Sequence, residues 1–552
     1  MTDTDSPQRA NIGWNVLDEW GIGALAIVAA GMMAYAAIVL SYLDYVPLWD
    51  GRIYADCVLD AAERLSFGAL GCAGHNSQAY ILPLALAARF APAAPGSIVP
   101  LVVTNVVLGL MALAALARLL GHVLPGRQRA AERALACCAF AVHPLFTAST
   151  LQPNIDFGTL VFALPCVCAL IERRVMAATV LGCFLVFTKE PALIVYASFV
   201  LSALFVLVAR PAGTWRAALA ECRPFAPLVV PLVLAGVYLA PSLVEIIPDL
   251  LWSGDSPPGL AAGAVTARML IDAIDLNYGL GLFVLSFMWV PTIVIVGDLG
   301  VAPMMTRLGG RADVGSPGPG GPTRAIVYGT LVMTLVLTRY KSFSNFRYFL
   351  TLYPFFVVIC AVALAKRVRW RPARLGVTGV LVVLFAVSNF RTIDPVSRAV
   401  FGTFPFGAHD LLDMTANTGE CCGHGRDQLV YNLEFTAIAT LQDEALAQIR
   451  PTADTVLSMD TQANWYTVGP VDPVTFRRTL DRAGAIEPRV LDTRDLGKAS
   501  SLPEEMFYFA FANVENQQSL AWLADRYTVS AVLAFDERGY TLRVYRMARR
   551  EG

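Results

Sequence analysis

Four short stretches of a very apolar chain carry the side chains able to do chemistry. Tyr45-Val-Pro-Leu-Trp-Asp-Gly-Arg-Ile-Tyr54 holds Asp50 among aromatics, with Asp56 and Asp60 further along. Gln152-Pro-Asn-Ile-Asp156 ends on Asp156, and Phe187-Thr-Lys-Glu190 supplies Lys189 and Glu190. Arg347-Tyr-Phe-Leu-Thr-Leu-Tyr-Pro354 opens on Arg347 and Tyr348. Each stretch borders an apolar run, and ionisable groups flush with membrane spans are costly to keep, so they mark sites. Their types suit transfer of a group from an anionic lipid. A phosphate leaving group needs cations to take up developing charge, which Lys189 and Arg347 supply. An acceptor hydroxyl needs a carboxylate base, a role for Asp50. Asp50 and Asp156 could instead share a divalent cation, Mg2+ or Mn2+, that bridges the phosphate. The roles are alternatives for Asp156 and partly compatible for Asp50.

The elements that position these residues are membrane spans. The 552 residues are 56% hydrophobic and 15% charged, with a mean hydropathy of +0.56, and the apolar residues come in runs of spanning length. Net charge is −1, so no global basic field recruits nucleic acid. The first apolar run is preceded only by Arg9 and is too long for the core of a removable signal peptide. The pattern predicts a polytopic α-helical protein with about eleven spans, over Ile22 to Leu43, Ile98 to Leu120, Ala134 to Leu151, Phe157 to Ile171, Val175 to Phe187, Ala192 to Val208, Phe225 to Ile247, Leu280 to Val296, Ala325 to Leu337, Tyr348 to Ala365 and Leu375 to Phe390. Ala79 to Ala91 is apolar but short, and reads as a half-buried juxtamembrane helix.

Arginine and lysine set the orientation. With the N-terminus inside, Arg127, Arg129, Arg133, Arg173, Arg174, Arg210, Arg307, Arg324, Lys366 and Arg374 all fall in inner loops. The same count brings Asp50, Asp156, Lys189, Glu190 and Arg347 to one outer face. The loop Arg339-Tyr-Lys-Ser-Phe-Ser-Asn-Phe-Arg347 places three cations on the side that should be poor in them, which asks for an anionic ligand unless they only snorkel to the interface.

After Phe390 the hydropathy drops and the chain reads as a soluble α/β domain. Strands are predicted over Thr455 to Met459, Arg489 to Asp492, Met506 to Ala510, Ser530 to Phe535 and Thr541 to Tyr545, with helices over Asp427 to Ile449 and Gln517 to Tyr527 and a hairpin turn at Asp536-Glu-Arg-Gly539. It holds no phosphate loop or nucleophile elbow, which suits a cap over the membrane part. The expected organisation is a cytoplasmic segment over 1–21, a membrane catalytic domain over 22–390 with an outer loop over 44–97, and a periplasmic domain over 391–552. Cys57 and Cys72 share the first outer loop, where an oxidising compartment permits a bridge. Cys421, Cys422 and His424 are too few ligands for a metal site.

These motifs resemble those of the GT-C membrane glycosyltransferases, the superfamily of protein O-mannosyltransferases and lipid A aminoarabinose transferases. Trp49-Asp-Gly-Arg-Ile-Tyr54 looks like their first-loop acidic motif, His143 to Asp156 is similar to their third-span ending with its second-loop acid, Phe187-Thr-Lys-Glu190 resembles a later turn, and Arg347 to Pro354 resembles the start of a late span. The likeness runs in order over most of Gly21 to Phe390. It implies Asp50 as the catalytic or metal-associated acid, Asp156 as its partner, and Lys189 and Arg347 on the lipid phosphate. It also implies that His75, Glu190, Tyr54 and Tyr348 line the substrate, and that the Pro248 to Gly279 loop, with Trp252, Pro257 and Pro258, closes over the donor. Many relatives have Asp-Glu where this chain has Asp50-Gly51, so Asp56 or Asp60 would supply any second acid. The implied reaction moves a sugar from a polyprenyl-phosphate donor to a hydroxyl of a lipid, glycan or protein acceptor, on the periplasmic side of an inner membrane and with inversion. A transporter or flippase would instead be expected to carry charges at mid-span and often a repeated architecture, and an O-antigen ligase or polymerase to use Arg and His from one large outer loop.

Overall fold

The computed structural model describes residues 16–43, 50–72, 75–91, 97–208, 220, 222–238, 288–298, 321–340, 346–390, 396, 399–400, 405–406, 409–410, 441–459, 488–496, 502–511, 517–537 and 540–550. Long apolar runs become helices because only a helix pairs every backbone N–H and C=O within one segment. The first is α1 (Val16–Leu40), followed by the polar α2 (Asp50–Arg64) and the short α3 (Gln78–Phe90). Then come α4 (Val99–Val123), α5 (Ala130–Ala141), α6 (Pro144–Leu151), α7 (Ile155–Ile171), α8 (Val175–Val186) and α9 (Pro191–Val208). Beyond a helical stretch at Arg223–Tyr238 lie α10 (Trp289–Val296), α11 (Gly321–Tyr340), α12 (Tyr353–Arg367) and α13 (Arg371–Ser388).

Among the described residues four helices are long and apolar enough to cross a membrane: Trp20–Leu40, Val99–Val123, Pro191–Val208 and Arg371–Ser388. The expected Ala134 to Leu151 span is instead two helices, Arg127–Ala141 and Pro144–Leu151, bent by 49°. Pro144 causes the break, since it has no N–H to donate. The backbone freed there finds other partners: Asn389 Nδ2 donates to the Val142 carbonyl at 2.8 Å, and the Thr147 hydroxyl donates to Asn389 Oδ1. The twelve residues of α8 rise only about 18 Å, short of the roughly 30 Å hydrocarbon core. The expected count of eleven is not confirmed among the described residues, where several expected spans are short helices and others lie partly outside.

The helices share one core. Helix α1 packs on α5, α4 on α7, α7 on α8, α9 on α11, and α5 on α13. Tyr35 stacks on Phe146 with ring centroids 4.8 Å apart, and Phe146 meets Phe140 at 4.9 Å. The two ends of the bundle differ in charge. At one end Arg374 pairs with Glu132, Arg133 lies over Trp20, and Arg118 pairs with Glu172; at the other lie the turns that carry Asp156 and Lys189.

The C-terminal part is α/β, as its alternating pattern predicts. A short hairpin, β1 (Pro405–Phe406) and β2 (His409–Asp410), precedes a five-stranded sheet. Strands β3 (Val456–Met459), β4 (Arg489–Asp492), β5 (Glu505–Phe511), β6 (Tyr527–Glu537) and β7 (Tyr540–Arg549) pair in the order β4-β3-β5-β7-β6. The β3 pairings are parallel and the β5–β7 and β6–β7 pairings antiparallel. Glu537 faces Tyr540, which puts the hairpin turn where Asp536-Glu-Arg-Gly539 predicts it. Of the predicted helix over Asp427 to Ile449, the last turns, 441–449, lie within the described residues.

Candidate active site

Asp156 sits in the first turn of α7. Asn154 caps the helix, its Oδ1 accepting the Asp156 N–H at 2.9 Å, and a helix N-terminus favours negative charge. A buried polar chain holds this turn in place. The Asn154 N–H donates to the Tyr80 oxygen at 3.2 Å, the Tyr80 hydroxyl donates to Asn105 Oδ1 at 2.9 Å, and Asn105 Nδ2 donates to the Thr150 carbonyl at 3.1 Å. Thr150 Oγ1 pairs with the Tyr35 hydroxyl at 3.0 Å, so α1, α3 and α4 together fix the α6–α7 connection. Gly158 permits this packing, because a Cβ there would fall 2.6 Å from the Tyr80 ring.

Lys189 arrives from the α8–α9 turn and Arg347 from the single 3-10 turn Phe346–Phe349 before α12. Lys189 Nζ donates to Asp156 Oδ1 at 2.7 Å, and Arg347 Nε lies 3.8 Å from Asp156 Oδ2. The Tyr348 ring joins both cations, 4.5 Å from Lys189 Nζ and 5.4 Å from the Arg347 guanidinium carbon. All three charged residues are at most 7% exposed. Charges this deep are kept only where they are paired and used. Three separated loops thus deliver two cations to one acid. Each Asp156 oxygen faces one of the two cations.

Beside this cluster, Glu190 turns the other way. It accepts His75 Nδ1 at 2.8 Å and the Asn76 N–H at 3.1 Å. Asn76 Nδ2 donates to the Val186 carbonyl at 2.6 Å and the Ala79 N–H to the Phe187 carbonyl at 2.9 Å. The start of α3 and the segment before it are therefore stitched to the α8–α9 turn. Burial pushes the Glu190 carboxyl up, but the hydrogen bond from His75 and those from backbone N–H groups outweigh it and hold the group below the ordinary carboxylate range. Phe67, Phe187 and Tyr238 close over this seam edge to face.

Asp50 opens α2, and its side chain lies outside the described residues. Its neighbour Gly51 locates it. A Cβ on Gly51 would lie 2.8 Å from Gln152 Oε1 and 3.0 Å from Gln152 Cβ, so the head of α2 meets the turn that ends in Asp156. This close approach also explains the Asp-Gly sequence, since a glutamate at position 51 would displace Gln152. Tyr54, one turn on, is 5% exposed and packed into the core; Asp56 is partly buried and Asp60 exposed. Cys57 and Cys72 form a disulfide with Cα atoms 5.8 Å apart, tying α2 to the loop that carries His75. Arg339 lies in the last turn of α11, its side chain outside the described part; Lys341, the Trp252, Pro257 and Pro258 loop, and Cys421, Cys422 and His424 fall outside the described residues. Asn76, Asn105, Tyr80 and Gln152 were not singled out by the sequence; Asn105, a buried amide inside an apolar span, carried the one available signal.

No protein-family model and no curated protein sequence matches the chain. Solved structures do. The crystal structure of ArnT from Cupriavidus metallidurans bound to undecaprenyl phosphate superposes over 95% of this chain and 98% of its own, with a TM-score of 0.52 and 12% identity. The chain has the GT-C fold. The Archaeoglobus fulgidus oligosaccharyltransferase tethered to an acceptor peptide containing the NVT sequon is also similar, over 96% of this chain and 74% of that one, with a TM-score of 0.43 and 10% identity. Within the GT-C fold, Asp156, Lys189 and Arg347 meet at one end of the bundle, beside the first-loop helix that Asp50 opens.

Proposed function

We propose that this protein is a membrane glycosyltransferase that moves a sugar from a polyprenyl-phosphate donor to a hydroxyl acceptor at the outer face of an inner membrane, with the C-terminal α/β domain on the same side. The observation that carries the reading is the buried Lys189–Asp156–Arg347 cluster placed at a helix-bundle end of the GT-C fold. Two cations set in a low-dielectric pocket attract a phosphate more strongly than they would in water. Asp156 holds both in place while the site is empty of donor.

In the reaction, the acceptor oxygen attacks the anomeric carbon as that carbon's bond to the phosphate oxygen breaks. The electron pair leaves with the lipid phosphate, whose growing charge Lys189 and Arg347 meet. The hydroxyl proton passes to Asp50, and attack opposite the leaving group inverts the anomeric centre. A divalent cation, if used, would be held by Asp50 and Asp156 and would supply further positive charge beside the phosphate. His75 and Glu190 flank the phosphate end and keep the first outer loop against it.

The test is to incubate purified protein with a panel of radiolabelled polyprenyl-phosphate sugars, with and without chelator, and score sugar transfer. Turnover of at least one donor, blocked by Lys189→Gln, supports the reading. Movement of intact donor across a vesicle membrane without sugar release would make the protein a flippase instead.

A further inference from the structure

The opposite end of the bundle holds a second arrangement that the transfer reaction does not use. Helix α7 runs from Asp156 to Ile171, so this end lies about 25 Å from the Lys189 cluster. Glu172, just past α7, is nearly enclosed by partners. Arg118 of α4 grips both its oxygens, His122 Nε2 lies 2.8 Å away, and Arg174 Nε lies 3.1 Å away. Between α4, α7 and α8 runs a cleft of about 350 Å3, lined by Ala114, Ala115, Pro165, Ala169, Ala177 and Leu181 with Arg118, Glu172 and Arg174 at its mouth. A cleft of that size is within the range of small-ligand sites.

We propose that this cleft binds one anionic glycerophospholipid, its phosphate on Arg118, Arg173 and Arg174 and one acyl chain among the alanines. Three observations carry this. The residues on either side of the cleft are exposed and apolar: Val107 and Met111 on α4, Met176, Val180 and Phe184 on α8, so the covering medium at this face is hydrocarbon and not a water-soluble partner. Small side chains leave room for a chain, which nothing else described fills. The charge at the mouth is positive: Arg118 and Arg174 stand against Glu172, Arg174 and its chain neighbour Arg173 are exposed, and each guanidinium carries five N–H donors. Glu172 holds Arg118 and Arg174 together at the mouth. Basic pockets between spans are a recurrent form of lipid-headgroup recognition. The site is independent of the proposed transfer reaction.

Native mass spectrometry of the full-length protein in detergent, titrated with phosphatidylglycerol or phosphatidylcholine, tests it. Wild type is expected to retain phosphatidylglycerol in preference to phosphatidylcholine. Arg174→Gln, an exposed position, should cut that preference about fivefold, the effect of roughly one basic contact. Ala177→Trp, which fills the cleft from its exposed rim, should abolish retention of either lipid while thermal stability holds. Glycerol phosphate, a headgroup without chains, should not compete. Equal retention of both lipids by wild type, an unchanged preference in Arg174→Gln, or undiminished retention in Ala177→Trp would each overturn the proposal.

Discussion

Lys189, Asp156 and Arg347 show how far single residues can be read from a sequence. Their placement on one face was legible because arginine bias orients the loops and charged span ends are rare. Their pairing was not, because it joins positions far apart in the chain. Lys189→Gln would leave the buried Asp156 carboxylate with Arg347 alone. We expect a loss of about 3 kcal/mol in stability and of two to three orders of magnitude in transfer rate, read by thermal unfolding in detergent and a sugar-transfer assay. An unchanged rate would remove Lys189 from the phosphate. Gly51 was read from the sequence as a missing acid; the structure shows it as a contact with Gln152. Gly51→Ala should cost roughly 1–3 kcal/mol, partly recovered in the Gly51→Ala, Gln152→Ala double variant, and strict additivity would refute the contact. Glu190 gives a pH dependence. Its folded carboxyl titrates below the ordinary value, so its contribution is present above about pH 4.3 and is lost as pH falls through the lower folded value. Because the pair is partly exposed, the contribution is at most about 1 kcal/mol. Melting temperatures across pH 3 to 6 should therefore fall less steeply in Glu190→Gln than in wild type.

At the scale of elements, short apolar runs located all five strands of the C-terminal sheet, being too brief to read as helices. Spans were read less well. Hydropathy marks an apolar run but not where Pro144 breaks it, although the short run Val175 to Phe187 did match α8, which ends at Val186. Order among the strands was also hidden, because pairing depends on contacts distant in sequence. The Cys57–Cys72 bond joins the helix that Asp50 opens to the His75 segment that Glu190 clamps. For its separation of 15 residues the bond should contribute about 3 kcal/mol. Reduction should expose two further alkylatable thiols and lower the melting temperature, with a matching fall in transfer rate. Activity that survives full reduction would mean that α2 is held by packing alone.

For the whole molecule, the polytopic helical class and the appended α/β part followed from composition, and the GT-C fold emerged from motif order despite 12% identity to a structure of that fold. The fold brings Asp156, Lys189 and Arg347 to one end and the pairs Arg374–Glu132 and Arg118–Glu172 to the other. Sugar transfer from a polyprenyl phosphate is the central claim, with Asp50 as the group that takes the acceptor's proton. Single-turnover transfer of labelled sugar, followed side by side for wild type and Asp50→Asn with equal amounts of donor bound, tests it most directly. The account predicts transfer by wild type and none by Asp50→Asn at undiminished donor binding; wild-type transfer by the variant would contradict it.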